Sequence, residues 1–292
     1  MAGFGGSPYN SRIMSAATIK AADVKKLRDA TGAGMMDCKK ALAATNGNFD
    51  EAVAELRKKG QKVASKRADR DATEGVVVAK VNADNTKGII FKLTSESDFV
   101  SKNADFVAVA EQMAQVAIDN LPADQAAFEA LSYDGGDETI AGKATERTGV
   151  IGEKIEVADY AKLEGPLVVA YNHMGNSAGV IVAFNKTGDF VDAGRDVAMQ
   201  VAAMKPIAVD KDGVDATTVE QEIEIGKEVA RNEGKPEAML EKIAKGKLNK
   251  FYKENTLLNQ AFVKDGKKTV AQYLQDQDKE LTVTAFKHVK LG

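Results

Sequence analysis

The chain has 292 residues, with 40 Lys and Arg against 43 Asp and Glu, so its formal charge is −3 at pH 7. A near-neutral balance argues against direct binding of nucleic acid, which requires a basic surface. The single cysteine excludes an intrachain disulfide and fits a reducing compartment. No apolar run reaches the roughly 18 residues of a membrane span. We therefore expect a cytoplasmic protein with no membrane partner. The abundant Ala and missing Trp favour a helix-rich α+β fold of two or three domains.

The N-terminal part predicts a small helical domain. Residues 1–13, MAGFGGSPYNSRI, have little charge and no apolar segment of a secretory signal, so we expect an added leader outside the fold. Residues 14–60 then predict three short helices that form one bundle, the third ending at the Arg-Lys-Lys-Gly of 57–60. Residues 61–74 are polar and predict a linker. The apolar stripes of the three helices are Val24 and Leu27, then Met36, Ala41 and Leu42, then Phe49, Val53 and Leu56.

The rest of the chain contains an internal repeat with an offset of 91 residues. The run Gly88-Ile-Ile-Phe-Lys-Leu aligns with Gly179-Val-Ile-Val-Ala-Phe, and Asp-Phe-Val at 98–100 aligns with Asp-Phe-Val at 189–191. Each copy predicts two antiparallel strands followed by a helix. We expect two duplicated α+β subdomains, one over 75–165 and one over 166–292.

The second copy is interrupted by a different pattern. Residues 216–252 show apolar and small residues at steps of three and four, broken at the Gly-Lys-Pro of 234–236. This predicts a protruding antiparallel helical hairpin with a narrow seam. After it, a short helix and a final strand, LTVTAFKHV, are expected.

No motif predicts catalysis. The chain has only two histidines and one cysteine, which leaves few residues for a nucleophile–base pair or a zinc site. The stretch TGAGMMDCKK lacks the Gly-Lys-Ser/Thr end of a phosphate loop, and no strand precedes it. We therefore expect a binding protein with no catalytic residues, metal site or cofactor. A passive adaptor and a nucleotide-using enzyme built on the Gly-Ala-Gly bend remain open as alternatives.

Three motifs give a more specific indication: LRDATGAGMMDCKKAL at 27–42, SDFV at 97–100 and YNH at 171–173. With them, the chain from Met14 onward resembles the bacterial elongation factor Ts family, the guanine-nucleotide exchange factors of elongation factor Tu. The resemblance implies a ubiquitin-associated-like N-terminal domain, a core of two similar subdomains and a protruding hairpin. It implies elongation factor Tu, GDP-bound and nucleotide-free, as partner. A homodimer or a two-to-two complex through the C-terminal subdomain or the hairpin stays open.

The same resemblance implies the site residues. Ser97, Asp98, Phe99 and Val100 would displace Mg²⁺ from elongation factor Tu, with the Phe99 ring inserted between helices of its GTPase domain. Ser97 stands where the family commonly has Thr, and it retains a hydroxyl that we expect to cap the following turn. The other implied contacts with the partner are Arg28, Met35, Met36, Ile151, Gly152 and His173.

Two expectations concern exposure. Two adjacent methionines at a helix start cannot both face one small core, so we expect one of Met35 and Met36 to be exposed. The aligned Phe190 suggests that the repeated unit itself needs an aromatic residue after its strand, which favours a packing role for Phe99 as well. The resemblance separates the two residues. We expect an exposed Phe99 and a packed Phe190.

Overall fold

The computed structural model describes residues 19–292, so the expected leader at 1–13 and Met14 lie outside the described residues. The order of elements confirms the α+β class. The helices are α1 Ala21–Thr31, α2 Met35–Ala44, α3 Phe49–Arg67, α4 Asp98–Ser101, α5 Ala104–Asn120, α6 Gln125–Glu129, α7 Ile140–Ile151, α8 Val191–Met204, α9 Ala216–Asn232, α10 Glu237–Asn255 and α11 Val270–Gln277. The strands are β1 Glu74–Val81, β2 Lys87–Ser95, β3 Glu156–Glu164, β4 Leu167–Asn172, β5 Ala178–Phe184, β6 Ala261–Phe262, β7 Asp265–Thr269 and β8 Val283–Lys290.

The chain divides into two compact units. The first contains α1, α2 and α3 together with residues 145–153 from the end of α7. Apolar burial drives its assembly, and the predicted apolar stripes of α1 and α3 are confirmed. On α2 the prediction for Met36 is wrong. Met36 is exposed, and the buried face of α2 starts one turn later. The buried residues of this small core are Val24, Leu27, Ala33, Cys38, Ala41, Leu42 and Ala52.

Helix α3 does not end at Gly60, although Lys-Lys-Gly predicted an end there. It continues for seven residues to Arg67, through the first half of the predicted linker 61–74. Gly60 is buried because its backbone lies against the backbone of Gly149. A Cβ placed on Gly149 would lie 2.3 Å from the Cα of Gly60. The glycine therefore serves close helix packing and not helix termination.

The second unit, residues 70–144 and 154–292, is built on two three-stranded antiparallel sheets. Their orders are β1-β2-β3 and β4-β5-β8. The strand pairing repeats at the predicted offset of 91, because Val77 lies opposite Lys92 and Val168 lies opposite Ala183. Helix α5 packs on β1 and β2, and α8 packs on β4 and β5. The strand part of the predicted repeat is thus confirmed.

The two sheets pack face to face through a shared apolar layer, which consists of Val77, Ala79, Ile90, Val168, Ile181, Ala183 and Val289. Two glycines let the sheets approach closely. A Cβ on Gly88 would lie 2.7 Å from Val168 Cγ1, and a Cβ on Gly179 would lie 3.1 Å from Val77 Cγ1. Since Gly179 and Val168 are the repeat partners of Gly88 and Val77, the contact is reciprocal, as across a two-fold axis.

The helices of the two copies align at a different offset from the strands. Helix α5 is capped by Leu121 and α8 by Lys205, and both C-cap residues are left-handed. Their buried positions correspond at an offset of 84, and Phe190 then corresponds to Phe106, not to Phe99. Asp-Phe-Val in fact occurs a third time, at 105–107. The alignment of 98–100 with 189–191 is therefore wrong, and the first copy carries seven additional residues.

The predicted hairpin is present as α9 and α10. Its seam consists of Gly226, Ala230, Leu240 and Ala244, which are buried between the two helices. The expected short helix and last strand are also confirmed as α11 and β8. None of the described helices is both long and apolar enough to cross a membrane.

The contact between Gly60 and Gly149 gives a first prediction. Gly149→Ala forces the two helix backbones apart, and we expect it to lower the free energy of unfolding by about 1–3 kcal/mol. Gly246→Ala is the matched control, because Gly246 also lies inside a helix and its Cβ would meet no atom within 4 Å. The control should raise stability by about 0.5–1 kcal/mol. Urea unfolding followed by circular dichroism measures both, and equal stability changes would contradict the packing role of Gly149.

The half-buried His288 gives a second prediction. Its Nε2 is buried without a hydrogen-bond partner among the described residues. Burial lowers the pKa of His288, and the charges of Lys205 and Lys290 lower it further. The unfolded chain therefore takes up this proton first, and stability falls as pH drops below about 6.5. His288→Phe should reduce this loss between pH 6.5 and 5, as measured by melting temperature. An unchanged pH dependence in the variant would refute it.

Candidate functional site

The seven additional residues of the first copy form a separate turn that exposes an aromatic ring. After β2 the chain makes the single helical turn α4 before α5 begins. The Phe99 side chain is 84% exposed, whereas the next residue, Val100, is buried and anchors the turn. The predicted difference between Phe99 and Phe190 is confirmed, since Phe190 packs against the core of the second copy. An exposed ring of this size is typical of an interaction site.

Hydrogen bonds to backbone carbonyls stabilise the α4 turn that carries the ring. The Ser101 hydroxyl donates to the carbonyl of Asp98 at 2.9 Å, and the Ser95 hydroxyl donates to the carbonyl of Ser97 at 3.0 Å. Ser97 occupies the N-cap position, but its side chain makes no capping hydrogen bond, so the expected capping role is wrong. The turn is closed at its C-terminal side, because the Asp98 carbonyl accepts hydrogen bonds from both the Lys102 N–H and the Ser101 hydroxyl.

The carboxylate of Asp98 is held by an ion pair. The Lys102 ammonium donates to Asp98 Oδ2 at 2.6 Å across one helical turn. This hydrogen bond, and then the positive charge of Lys102, lower the pKa of Asp98. Asp98 is therefore ionised at neutral pH, and its carboxylate is paired with Lys102 on the same helical turn.

His173 lies in the second copy, on the turn between β4 and β5. It is exposed, and its Nδ1 lies 3.0 Å from the Tyr171 hydroxyl. The following Gly175 and Asn176 have positive φ angles, which turn the chain back into β5. Because Tyr171 engages Nδ1, Nε2 is the ring nitrogen outside this contact. The neighbouring Met174 is 87% exposed.

In the first unit, both Met35 and Met36 are exposed, by 56% and 63%. The expected exposure of one methionine is confirmed, and the second is exposed as well. Both residues precede the first buried position of α2, Cys38, because the helix starts outside the core. Arg28 is half-exposed at the end of α1 and lies 3.6 Å from Asp29. These three side chains share the end of the bundle that is formed by the Gly-Ala-Gly bend.

Ile151 and Gly152 belong to this first unit and not to the sheets. Gly152 follows α7 with a φ angle of 84°, and its N–H donates to the carbonyl of Thr148. One turn earlier, Arg147 Nη2 donates to the carbonyl of Thr31 at 3.0 Å. The end of α7 is thereby fixed to the bend that precedes Met35 and Met36.

The structure thus divides the residues implied by the resemblance into two groups. The first unit carries Arg28, Met35, Met36, Ile151 and Gly152, and the second carries Ser97 to Val100 and His173. Sequence reasoning missed three residues that position them: Lys102, Tyr171 and Arg147. The i,i+4 spacing of Asp98 and Lys102 was a readable signal. The other two contacts depend on the fold.

Comparisons with known proteins identify the family. The family model described as elongation factor TS matches residues 96–292. A protein named elongation factor Ts from Flavobacterium psychrophilum is 53% identical over 277 residues, which cover 94% of this chain and 100% of the relative. The relatives from Christiangramia forsetii, 51% identical, and Cytophaga hutchinsonii, 53% identical, carry the same name. The matches cover 100% and 99% of these two relatives, and each match covers 94% of this chain.

The chain belongs to the elongation factor Ts family. This confirms the resemblance and assigns the protein a role in translation elongation. The Phe99 turn and His173 both lie inside the matched range of the family model, and the Met35–Met36 end of the bundle lies before it.

The separate turn predicts that Phe99 contributes little to the fold. Phe99→Ala should change the free energy of unfolding by less than about 0.5 kcal/mol, because the ring is in solvent. Phe106→Ala removes a ring that is only 2% exposed and should cost about 3–5 kcal/mol. Urea unfolding of both variants tests the contrast. A loss above about 1 kcal/mol for Phe99→Ala would show that the ring packs in the folded protein.

Proposed function

We propose that the protein binds elongation factor Tu in its GDP form and promotes GDP release by displacing the Mg²⁺ ion. GTP then enters the emptied site. The observation that carries this proposal is the exposed Phe99 on a turn that the second copy lacks. A core that needs only Phe106 and Phe190 gives no reason to keep a third aromatic ring in water.

The energetic scale of a Phe wedge fits this mechanism. Mg²⁺ requires near-ideal octahedral geometry with ligands at about 2.0–2.1 Å, so a small shift of the loop that holds it weakens the site. A buried Phe side chain covers at least ~150 Å², which at ~25 cal/mol per Å² supplies a few kcal/mol. That amount is sufficient to offset a local distortion of the partner. Insertion of Phe99 between helices of the GTPase domain would provide this binding energy.

Exchange in this scheme is a matter of binding and needs no chemical step. If the protein binds the nucleotide-free partner better than the GDP form, GDP and the protein weaken each other's binding by the same factor. The protein acts as an exchange factor and not as an enzyme. Asp98 would be held in place by Lys102, so that the turn is already in its binding geometry before contact.

The remaining implied residues enlarge the interface. The flexible side chains of Met35 and Met36 suit an apolar contact that adapts to its partner. Arg28, Ile151 and Gly152 lie in the same unit and would extend that contact. His173 would reach the phosphate-binding side of the GTPase through Nε2. The proposal also places the protein in the cytoplasm, since its one cysteine, Cys38, is buried and free.

A GDP-release assay tests the proposal. Elongation factor Tu is loaded with fluorescent GDP, and release is followed with and without this protein. We expect acceleration by the intact protein and at least a tenfold smaller acceleration by Phe99→Ala. Ile207→Ala is the matched control, because Ile207 is 55% exposed and lies outside the proposed contacts. It should act like the wild type.

Two results would contradict the proposal. The intact protein could fail to accelerate release, which would favour an adaptor that depends on Met35 and Met36. Alternatively, Phe99→Ala and Ile207→Ala could behave alike, which would remove the wedge from the mechanism.

A further inference from the structure

A groove in the first unit lies outside the contacts described above. It runs between α2 and α3 with a volume of about 870 Å³. Its floor is apolar and is formed by Ala41, Ala44 and Leu56. Lysines dominate its rims, and neither Met35 nor Met36 lines it. The charged lining residues are Asp37, Lys40, Glu55, Lys58, Lys59, Lys62 and Lys66.

The charge of this surface departs from that of the whole chain. Residues 19–69 contain twelve basic and seven acidic side chains, a formal charge of +5, whereas residues 70–292 contain 27 basic and 36 acidic side chains, a charge of −9. One ion pair crosses the groove, from Lys59 to Asp37 at 2.6 Å. The other four rim lysines make no ion pair among residues 19–292. Their positive charge is left for a ligand.

The spacing of these lysines has a definite period. Lys58, Lys62 and Lys66 follow one another at four-residue steps on α3, which places them about 6 Å apart along the helix axis. The groove runs from Glu55 to Lys66, a length of about 16 Å or three helical turns. A second helix with carboxylates at four-residue steps would present the same period.

The apolar floor decides between classes of anionic ligand. A phosphate backbone offers charge but no apolar stripe to cover Leu56, Ala41 and Ala44. An amphipathic helix offers both, with small apolar residues towards the floor and acidic residues towards the rims. Charge complementarity of this kind increases association rates and selects acidic partners.

We propose that the α2–α3 groove is a docking site for an acidic amphipathic helix of a partner protein. This surface is separate from the proposed Phe99 and Met35–Met36 contacts. It would therefore bind its partner whether or not the protein accelerates GDP release.

The test uses the whole protein and a synthetic helical peptide. The fluorescein-labelled peptide has four turns, a Leu and Ala stripe, and Glu at four-residue steps on both flanks. Fluorescence anisotropy measures its binding. The groove variant combines Lys58→Glu and Lys62→Glu, and the matched control combines Lys20→Glu and Lys25→Glu on exposed positions of α1 or its N-cap. Both variants change the net charge equally.

We expect the groove variant to weaken peptide binding at least tenfold and the control to weaken it less than twofold. A peptide of the same composition with its Leu stripe scrambled should bind at least fivefold more weakly. The proposal is overturned if the first peptide does not bind the wild type, or if both variants bind it equally. It is also overturned if a single-stranded RNA binds more tightly than the peptide and loses that binding in the groove variant.

Discussion

The structure of the second unit depends on one reciprocal contact between its two sheets. Gly88 admits Val168 and Gly179 admits Val77, so each copy of the repeat supplies both a small residue and the methyl groups that fill it. A larger residue does not fit at these positions without a shift, because a Cβ at Gly88 would collide with Val168 and a Cβ at Gly179 would crowd Val77. Because the inner faces of the two sheets pack against each other, α5 and α8 cover their outer faces. The loops at the strand ends lie outside this packing, so the two copies can differ there.

The copies differ between the second strand and the following helix, where the proposed site lies. The second copy passes directly from β5 to α8, whereas the first inserts α4 between β2 and α5. The buried Val100 anchors this turn, the bonds of Ser101 and Lys102 to Asp98 hold it closed, and Phe99 is exposed to solvent. The core aromatic position is already filled by Phe106. A duplicated scaffold thus carries an unduplicated feature, and this asymmetry supports the proposed role of Phe99 as an interface residue.

Much of this could be predicted from the sequence, because the strands repeat without gaps and their apolar pattern sets the register. The bundle, the hairpin and the last strand follow from helical or strand periodicity in the same way. The errors have physical causes. Three Asp-Phe-Val motifs stand close enough to be aligned in two ways, and only the burial of Phe106 identifies the equivalent of Phe190. Gly60 has the pattern of a helix end, but it serves a backbone contact with a glycine 89 positions later.

The candidate site was predictable in part for similar reasons. Motifs around Met35, Phe99 and His173 are visible in the sequence. The comparison of the two copies favoured a packed Phe99, and the exposure of this ring was expected only from the family resemblance. The supporting contacts of Tyr171 with His173 and of Arg147 with Thr31 could be identified only from the structure, because no sequence spacing predicts them. The lysines of the α2–α3 groove are visible as a charged segment, but only the structure shows that they line one groove.

We propose centrally that α4 is an insertion. The fold forms without it, whereas nucleotide exchange requires it. Deletion of residues 96–102 joins Ser95 to Asn103 and gives the first copy the loop length of the second. The decisive measurement is the GDP-release rate of elongation factor Tu with this deletion variant, after its unfolding transition has been recorded. The account predicts a cooperatively folded protein that no longer accelerates release. A variant that fails to fold, or one that accelerates release like the wild type, would contradict it.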